Sequence, residues 1–392
     1  MRIKNCTIYA LGIPFVEAFA HSAKSRDASD AIVVRLEAAD GTFGYGEGVA
    51  RRYVTGETVE TCIAHIREVL WPAVALQDYT ELVPHADPLH ALAPAGESLP
   101  VQESDGVVAF NAARAAVELA LLDCLLRSRK MSLAEILPPG RTSITYGGVI
   151  SSGSIESCTR RAKQLKLFGI REVKIKIRNS DDISLVRAVR EVLGDAARLR
   201  VDANGAFDPR AAIETAQALA PFNIAAFEQP TARKMGALAL REVRESTSIP
   251  IMADESLVTI ADASALIDAG ACDYFNLRLS KCGGIARTLQ LARLAEAAGV
   301  SLQLGSQVGE TAILSAAGRH MAAHLEQVAF VEGSYGKLLL TEDVSRDPVH
   351  FGHGGRAPLL RGPGLGIQVR EDVLKKYALE KIYLGEGEKN HV

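Results

Sequence analysis

Val173-Lys174-Ile175-Lys176-Ile177 carries the reading that decides the fold. It is a short strand-like run in which alternation puts Lys174 and Lys176 on one face and the aliphatic residues on the other. From Lys176, acidic residues follow at regular intervals of 26: Asp202, Glu228 and Asp254. Each closes an apolar run of strand type, and each run is followed by a helix-like segment. A β/α unit of that size, repeated around a closed barrel, brings its strand ends to one mouth. Residues remote in sequence then converge, carboxylates with an amine beside them.

The pattern extends in both directions. Strands are expected at Ser143–Val149, Val173–Ile177, Leu199–Asp202, Ile224–Glu228, Ile249–Asp254, Tyr274–Ser280, Ser301–Gly305 and Val328–Glu332. Between them Ile183, Val186, Val189 and Leu193 form a helical stripe ending at Gly194, and Asp208-Pro209 reads as a cap followed by a first-turn proline. Near-continuous apolar strands joined by helices argue for a parallel sheet, closed into a barrel by seven or eight units. The first hundred or so residues differ. Ile3–Ile13 and Ala31–Ala38 read as strands, Gly41–Gly46 as a turn into another, and Glu57–Leu70 and Ala109–Arg127 as helices, which suggests a small α+β domain. Phe15–Asp30 and Ala50–Glu57 read as loops, the first a mobile one. The expected division is 1–130 for this domain, 131–350 for the barrel and 351–392 for a loop-rich segment returning to the first domain.

Bulk properties exclude several classes. A chain of 392 residues exceeds one ordinary core. A net charge of −3 gives no basic footprint for nucleic acid and no polybasic membrane signal. No apolar run approaches the roughly 20 residues that span a bilayer. The N-terminus shows no apolar signal region, and the 6 scattered cysteines form no C-x-x-C pair, so buried thiols and a cytoplasmic compartment are expected.

Parity assigns the chemistry. Asp202 and Asn204 face inward while Leu199 and Val201 face the helices; Glu228, Asp254, Asn276 and Arg278 also turn inward. Charges at every strand end are costly to bury without a purpose, and barrel strand tops are where reacting groups sit. Three carboxylates without histidine or cysteine select a hard cation, Mg2+ first and Mn2+ second. Neighbouring positive charge disfavours a protonated lysine. Lys176 is therefore read as the base, with Lys174 as its electrostatic tuner. Weaker signals have plainer readings: Gly283-Gly284 as a strand-to-helix turn rather than a phosphate cradle, and His320 and His324 as packing or surface residues.

Together, Lys174-Ile175-Lys176, Val201-Asp202-Ala203-Asn204, Phe227-Glu228-Gln229-Pro230, Met252-Ala253-Asp254-Glu255-Ser256 and Lys281-Cys282-Gly283-Gly284 resemble the enolase superfamily. Within it they look like the muconate-lactonizing-enzyme (mandelate racemase/muconate cycloisomerase) subgroup. The resemblance implies a modified TIM barrel, (β/α)7β, under an N-terminal α+β capping domain. It implies Mg2+ held by Asp202, Glu228 and Asp254, a small carboxylate substrate, and removal of the proton α to that carboxylate through a metal-stabilised enediolate. The lysine-plus-magnesium arrangement is a known pattern of this superfamily. The subgroup is commonly oligomeric, so a homo-oligomer is implied.

Two departures shape the expectation. Where the subgroup usually has a second lysine on the sixth strand, this chain has Arg278, which stays protonated and is a fixed cation rather than an acid/base partner. Strand parity points Lys281 away from the axis. One-faced chemistry of the cycloisomerase kind is therefore expected ahead of two-base racemisation or epimerisation of N-acyl amino acids or dipeptides, with acid dehydration a further alternative. A metal-binding scaffold without turnover is the reading from another class. The second departure is at strand eight: Glu332-Gly333-Ser334 lacks the D-x-D that dipeptide epimerases carry, while Gly336–Asp343 is more like the lactonizing members. His21 and Tyr53 from the cap loops, with Asn204, Gln307 and Glu332, are the expected substrate contacts.

Overall fold

Eight strands, Gly148–Ile150, Glu172–Lys176, Arg198–Asp202, Ile224–Glu228, Ile251–Ala253, Tyr274–Leu277, Ser301–Leu304 and Val328–Val331, pair in sequence order as one parallel sheet. They belong to a computed structural model that describes residues 1–21, 24–79, 85–102, 106–151 and 153–385, the side chains of 17–21 and 24–26 excepted. Gly147 donates its N–H to Val331 O at 2.9 Å, which brings the eighth strand back to the first. Helices cross over between successive strands, from Ile155–Leu167 to Ala312–His324. This is the modified (β/α)7β barrel.

Local chemistry explains the punctuation. Asp208 accepts from Ala211 N at 2.8 Å ahead of Pro209, and Gly194 ends its helix at φ 80, where a side chain would be strained. The outward strand residues Val173, Ile175, Leu199, Val201, Phe227 and Phe275 are fully buried under those helices. Each such side chain contributes about 1.5–3 kcal/mol.

Four antiparallel strands form the cap sheet, in the order Ala378–Gly385, Ile3–Leu11, Ala31–Ala38, Phe43–Val49. The last of these carries Gly44, Gly46 and Gly48 on one face. A Cβ at Gly46 would stand 2.0 Å from Ala116 O, so the glycines let the helix Asn111–Ser128 lie directly on the sheet. Its facing residues, Ala112, Ala116 and Ala120, are small for the same reason.

Several boundaries differ from the sequence reading. Part of Phe15–Asp30 is not a loop but a two-stranded ribbon, Pro14–His21 with Lys24–Ala28. Ser143–Val149 is two strands, because Ser143–Thr145 pairs outside the barrel with Arg356–Pro358. The sixth strand stops at Leu277, and Leu279–Cys282 turns into a short helix. All 6 cysteines are buried free thiols. No helix among the described residues is long and apolar enough to cross a membrane.

Candidate active site

Sheet register sets the first row of the site. Lys176 is the direct neighbour of Asp202 on the next strand, and Asp202 of Glu228 on the one after. Asp254 follows the end of strand five, two residues beyond Met252, the partner of Glu228. A second row lies one pleat deeper, where Lys174 neighbours Arg200. Asp202, Glu228 and Asp254 are all 0% exposed.

Burial of so many charges is tolerable only if they are paired, and they are. Lys174 Nζ lies 3.0 Å from Glu332, 3.3 Å from Glu228 and 3.4 Å from Asp202. Lys176 Nζ donates to Asn204 Oδ1 at 2.9 Å and stands 3.6 Å from the same Asp202 Oδ2. Arg200 NH2 donates to Glu332 at 2.7 Å and NH1 to Glu228 at 3.3 Å. Arg278 contacts Asp254 and lies 3.7 Å from Glu228. Lys281 Nζ donates to Asp254 O (2.7 Å), Asp254 Oδ1 (2.9 Å) and Asn276 O (2.7 Å).

Electrostatics follow from this pairing. Burial by itself would lower the Lys174 pKa, but Glu228, Glu332 and Asp202 outweigh it and raise it. Burial opposes ionisation of Asp202, yet Lys174, Lys176 and Arg278 hold it below the usual carboxylate range. For Glu255 burial, with Asp202 and Glu228 nearby, outweighs the pull of Lys281 and pushes it up to about 7.

The residues expected at the site are brought together in large part. Asn204, read as a substrate contact, bridges Lys176 to Glu255, donating Nδ2–H to its Oε1 at 3.1 Å. Glu332, read the same way, has both oxygens engaged, by Arg200 and Lys174. Gln307 donates its N–H to Glu310 at 2.6 Å in the loop after strand seven, its own Oε1 buried without a hydrogen-bond partner. Tyr53 lies in the cap loop, about half exposed. The side chain of His21 lies outside the described residues.

Lys281 requires a correction. Strand parity points it away from the axis, but the strand has ended by Leu277 and the short helix curls its ammonium under Asp254. Four contributors escaped the sequence reading. Arg200 shares the parity of Asp202 and was visible in Leu199-Arg200-Val201-Asp202. Gln303 lies on the neighbouring inward row and contacts Arg200. Gln229, at φ 36, accepts from the N–H groups of Asp254 (2.8 Å) and Ser256 (3.0 Å) and so fixes the fifth strand's end. Glu255 carries no sequence signal beyond its place next to Asp254. Gly283-Gly284 is the expected turn: the helix it opens has its first N–H groups on Glu118, at 2.6 Å to Ile285 and 3.0 Å to Ala286.

The donor set suits a hard divalent ion. It is oxygen only, and both Asp202 Oδ2 and Glu255 Oε2 are buried without a hydrogen-bond partner. As they stand, however, the carboxylates are drawn to the cations around them. Among the described residues no three His, Cys, Asp or Glu are gathered closely enough to hold a metal.

Residues 157–373 match the family model for the enolase C-terminal domain-like fold, and residues 10–138 that for the mandelate racemase / muconate lactonizing enzyme N-terminal domain. The chain belongs to the enolase superfamily, in the mandelate racemase / muconate lactonizing enzyme group. Its relatives there include the N-succinyl-L-Arg/Lys racemase of Bacillus cereus, 30% identical over 96% of this chain and 98% of the relative. Muconate cycloisomerase 1 of Pseudomonas putida is 30% identical over 88% and 90%. The crystal structure of the dipeptide epimerase from Cytophaga hutchinsonii, complexed with Mg and the dipeptide D-Ala-L-Val, superposes with a TM-score of 0.85 at 27% identity, covering 98% of this chain and 100% of that one. This enolase-superfamily enzyme thus stands among racemases, epimerases and cycloisomerases.

Proposed function

We propose that this protein is a Mg2+-dependent isomerase that moves the proton α to the carboxylate of a small substrate, with Lys176 as the single base. The observation that carries the reading is the row Lys176–Asp202–Glu228, side by side on adjacent strands and completed by Asp254. Asp202, Glu228 and Asp254 would hold the ion, which supplies positive charge where negative charge gathers as the proton leaves. Lys174, paired with Glu228 and Glu332, holds those carboxylates in place. Asn204 orients Lys176 by accepting one of its N–H bonds. In this reading residues 1–130 cover the mouth, residues 131–350 carry the chemistry, and 351–392 return to the cap.

One-faced chemistry follows from the opposite wall. Arg278 supplies a fixed cation rather than an acid/base partner, and Lys281 has its donors engaged by Asp254 and Asn276. A base and acid on Lys176 alone serve cycloisomerisation, or elimination of water on one face. The second reading is racemisation or epimerisation of an N-acyl amino acid or dipeptide, which the Bacillus cereus and Cytophaga hutchinsonii relatives favour.

Incubation of the Mg2+-loaded protein with a panel of carboxylates in D2O, followed by NMR, tests the proposal. Deuterium is expected at the carbon α to the carboxylate, and Lys176→Met is expected to reduce its incorporation by about 10²–10⁴-fold. Unchanged exchange in that variant removes Lys176 from the role.

A further inference from the structure

The loop after the seventh barrel strand, Gln307 to Thr311, leaves the barrel but is gripped by the cap. Ser29 Oγ donates to Gly309 O at 2.6 Å. Glu47, on the last cap strand, accepts from Thr311 N and Thr311 Oγ1, both at 2.7 Å, and from Leu314 N at 2.9 Å. Arg51 reaches furthest. Its NH2 donates to Val308 O, and its NH1 to Asp30 Oδ1 at 2.8 Å and Ala50 O at 2.6 Å.

These contacts are unlike ordinary surface pairs. Arg51 is 2% exposed and Glu47 0%. A buried guanidinium is tolerated only where its donors are placed, and its planar fork suits several fixed acceptors better than a lysine would. Here the acceptors come from three segments: the end of the ribbon segment (Asp30), the second cap loop (Ala50) and the barrel loop (Val308). The barrel loop in turn carries Glu310, which lines a small cavity with Ser306 and Glu332 at the mouth of strands seven and eight.

We propose that Arg51 is a positioning residue that locks the two cap segments to the strand-seven loop, so that all three form one wall of the substrate pocket and set its specificity together. The inference rests on the barrel mouth being the reaction site. It assigns Arg51 no contact with substrate; Arg51 acts through Val308–Glu310 on one side and Asp30 on the other.

The test uses the full-length Mg2+-loaded protein, with Arg51→Met, Arg51→Lys and Ser29→Ala. Amide hydrogen exchange by mass spectrometry is expected to quicken about tenfold in 307–314 in Arg51→Met, with the barrel strands around 174–176 and 198–202 unchanged. On a turned-over carboxylate, KM is expected to rise about tenfold while kcat stays within about threefold, and Arg51→Lys to recover part of the loss. Unaltered exchange in 307–314 overturns the proposal, as does equal quickening of the barrel strands, which would mark a folding role alone. If Arg51→Met does not fold, Ser29→Ala removes a single grip and must show a smaller quickening in the same segment. The exchange measurement needs no substrate. A protein that turns over no carboxylate therefore fails the functional reading, while the positioning role is still decided.

Discussion

Arg278 is the residue on which the stereochemistry turns. In the proposed reading it stands where a second proton acceptor would be needed, and its guanidinium contacts Asp254. Arg278→Lys restores an ammonium that can lose its proton, and a lysine beside other cations loses it more readily. The variant is expected to acquire exchange with inversion, which chiral chromatography of the recovered substrate detects, at a rate above the parent's by about tenfold or more. Asp202 is the residue that tests the ion. A ligand that binds only the folded state at about 100 times its Kd stabilises by about 2.7 kcal/mol. Mg2+ is therefore expected to raise the melting temperature of the parent protein and EDTA to reverse the rise, with no response in Asp202→Asn.

At the scale of elements, the histidine on the last crossover helix gives a pH dependence of definite sign. His320 is buried, with Nε2 3.2 Å from Leu365 O, and burial pushes its pKa down to about 4. An unfolded histidine titrates near 6.5. Above that pH neither state binds the proton; as pH falls from about 6.5 toward 4, the unfolded chain takes it first and stability is lost. His320→Gln is expected to remove up to about 3 kcal/mol of that acid sensitivity, read from urea unfolding at pH 7 and pH 4.5. Glu118, raised to about 7 by burial, acts in the opposite sense, so the comparison is variant against parent.

Legibility also differed element by element. Alternation in Val173–Ile177 and Leu199–Asp202 placed the charged row because a strand's parity is fixed for as long as the strand lasts. It failed at Lys281 because nothing in Asn276-Leu277-Arg278-Leu279-Ser280 announces where the strand gives way to a helical turn. Gly44 and Gly46 were legible only as turn residues, since their purpose, like that of Gly48, is a helix far along the chain. The ribbon's second strand, Lys24–Ala28, has the small, polar composition of a loop, and its pairing with Pro14–His21 is set by tertiary context.

At the scale of the whole molecule, the cap and barrel are joined by buried carboxylates on helix N-termini. Glu118 of the cap helix accepts from the first N–H groups of Ile285–Ala297, and Glu47 of the cap sheet accepts from Thr311 N, the residue that caps Ala312–His324, and from Leu314 N in its first turn. Favourable charge at such positions makes the barrel helices part of the cap's footing. The strand Ala378–Gly385 returns to the cap sheet beside Ile3–Leu11, an arrangement that pairing across nearly the full chain length hides from any local pattern. The mouth between these parts is where a one-base reaction is assigned, and its stereochemistry is the direct test. A single-enantiomer carboxylate that exchanges its α-proton in D2O with the Mg2+-loaded protein should be recovered deuterated and with its configuration retained. Recovery of the opposite enantiomer at a rate comparable to exchange would contradict the account, because it requires a second proton acceptor facing Lys176.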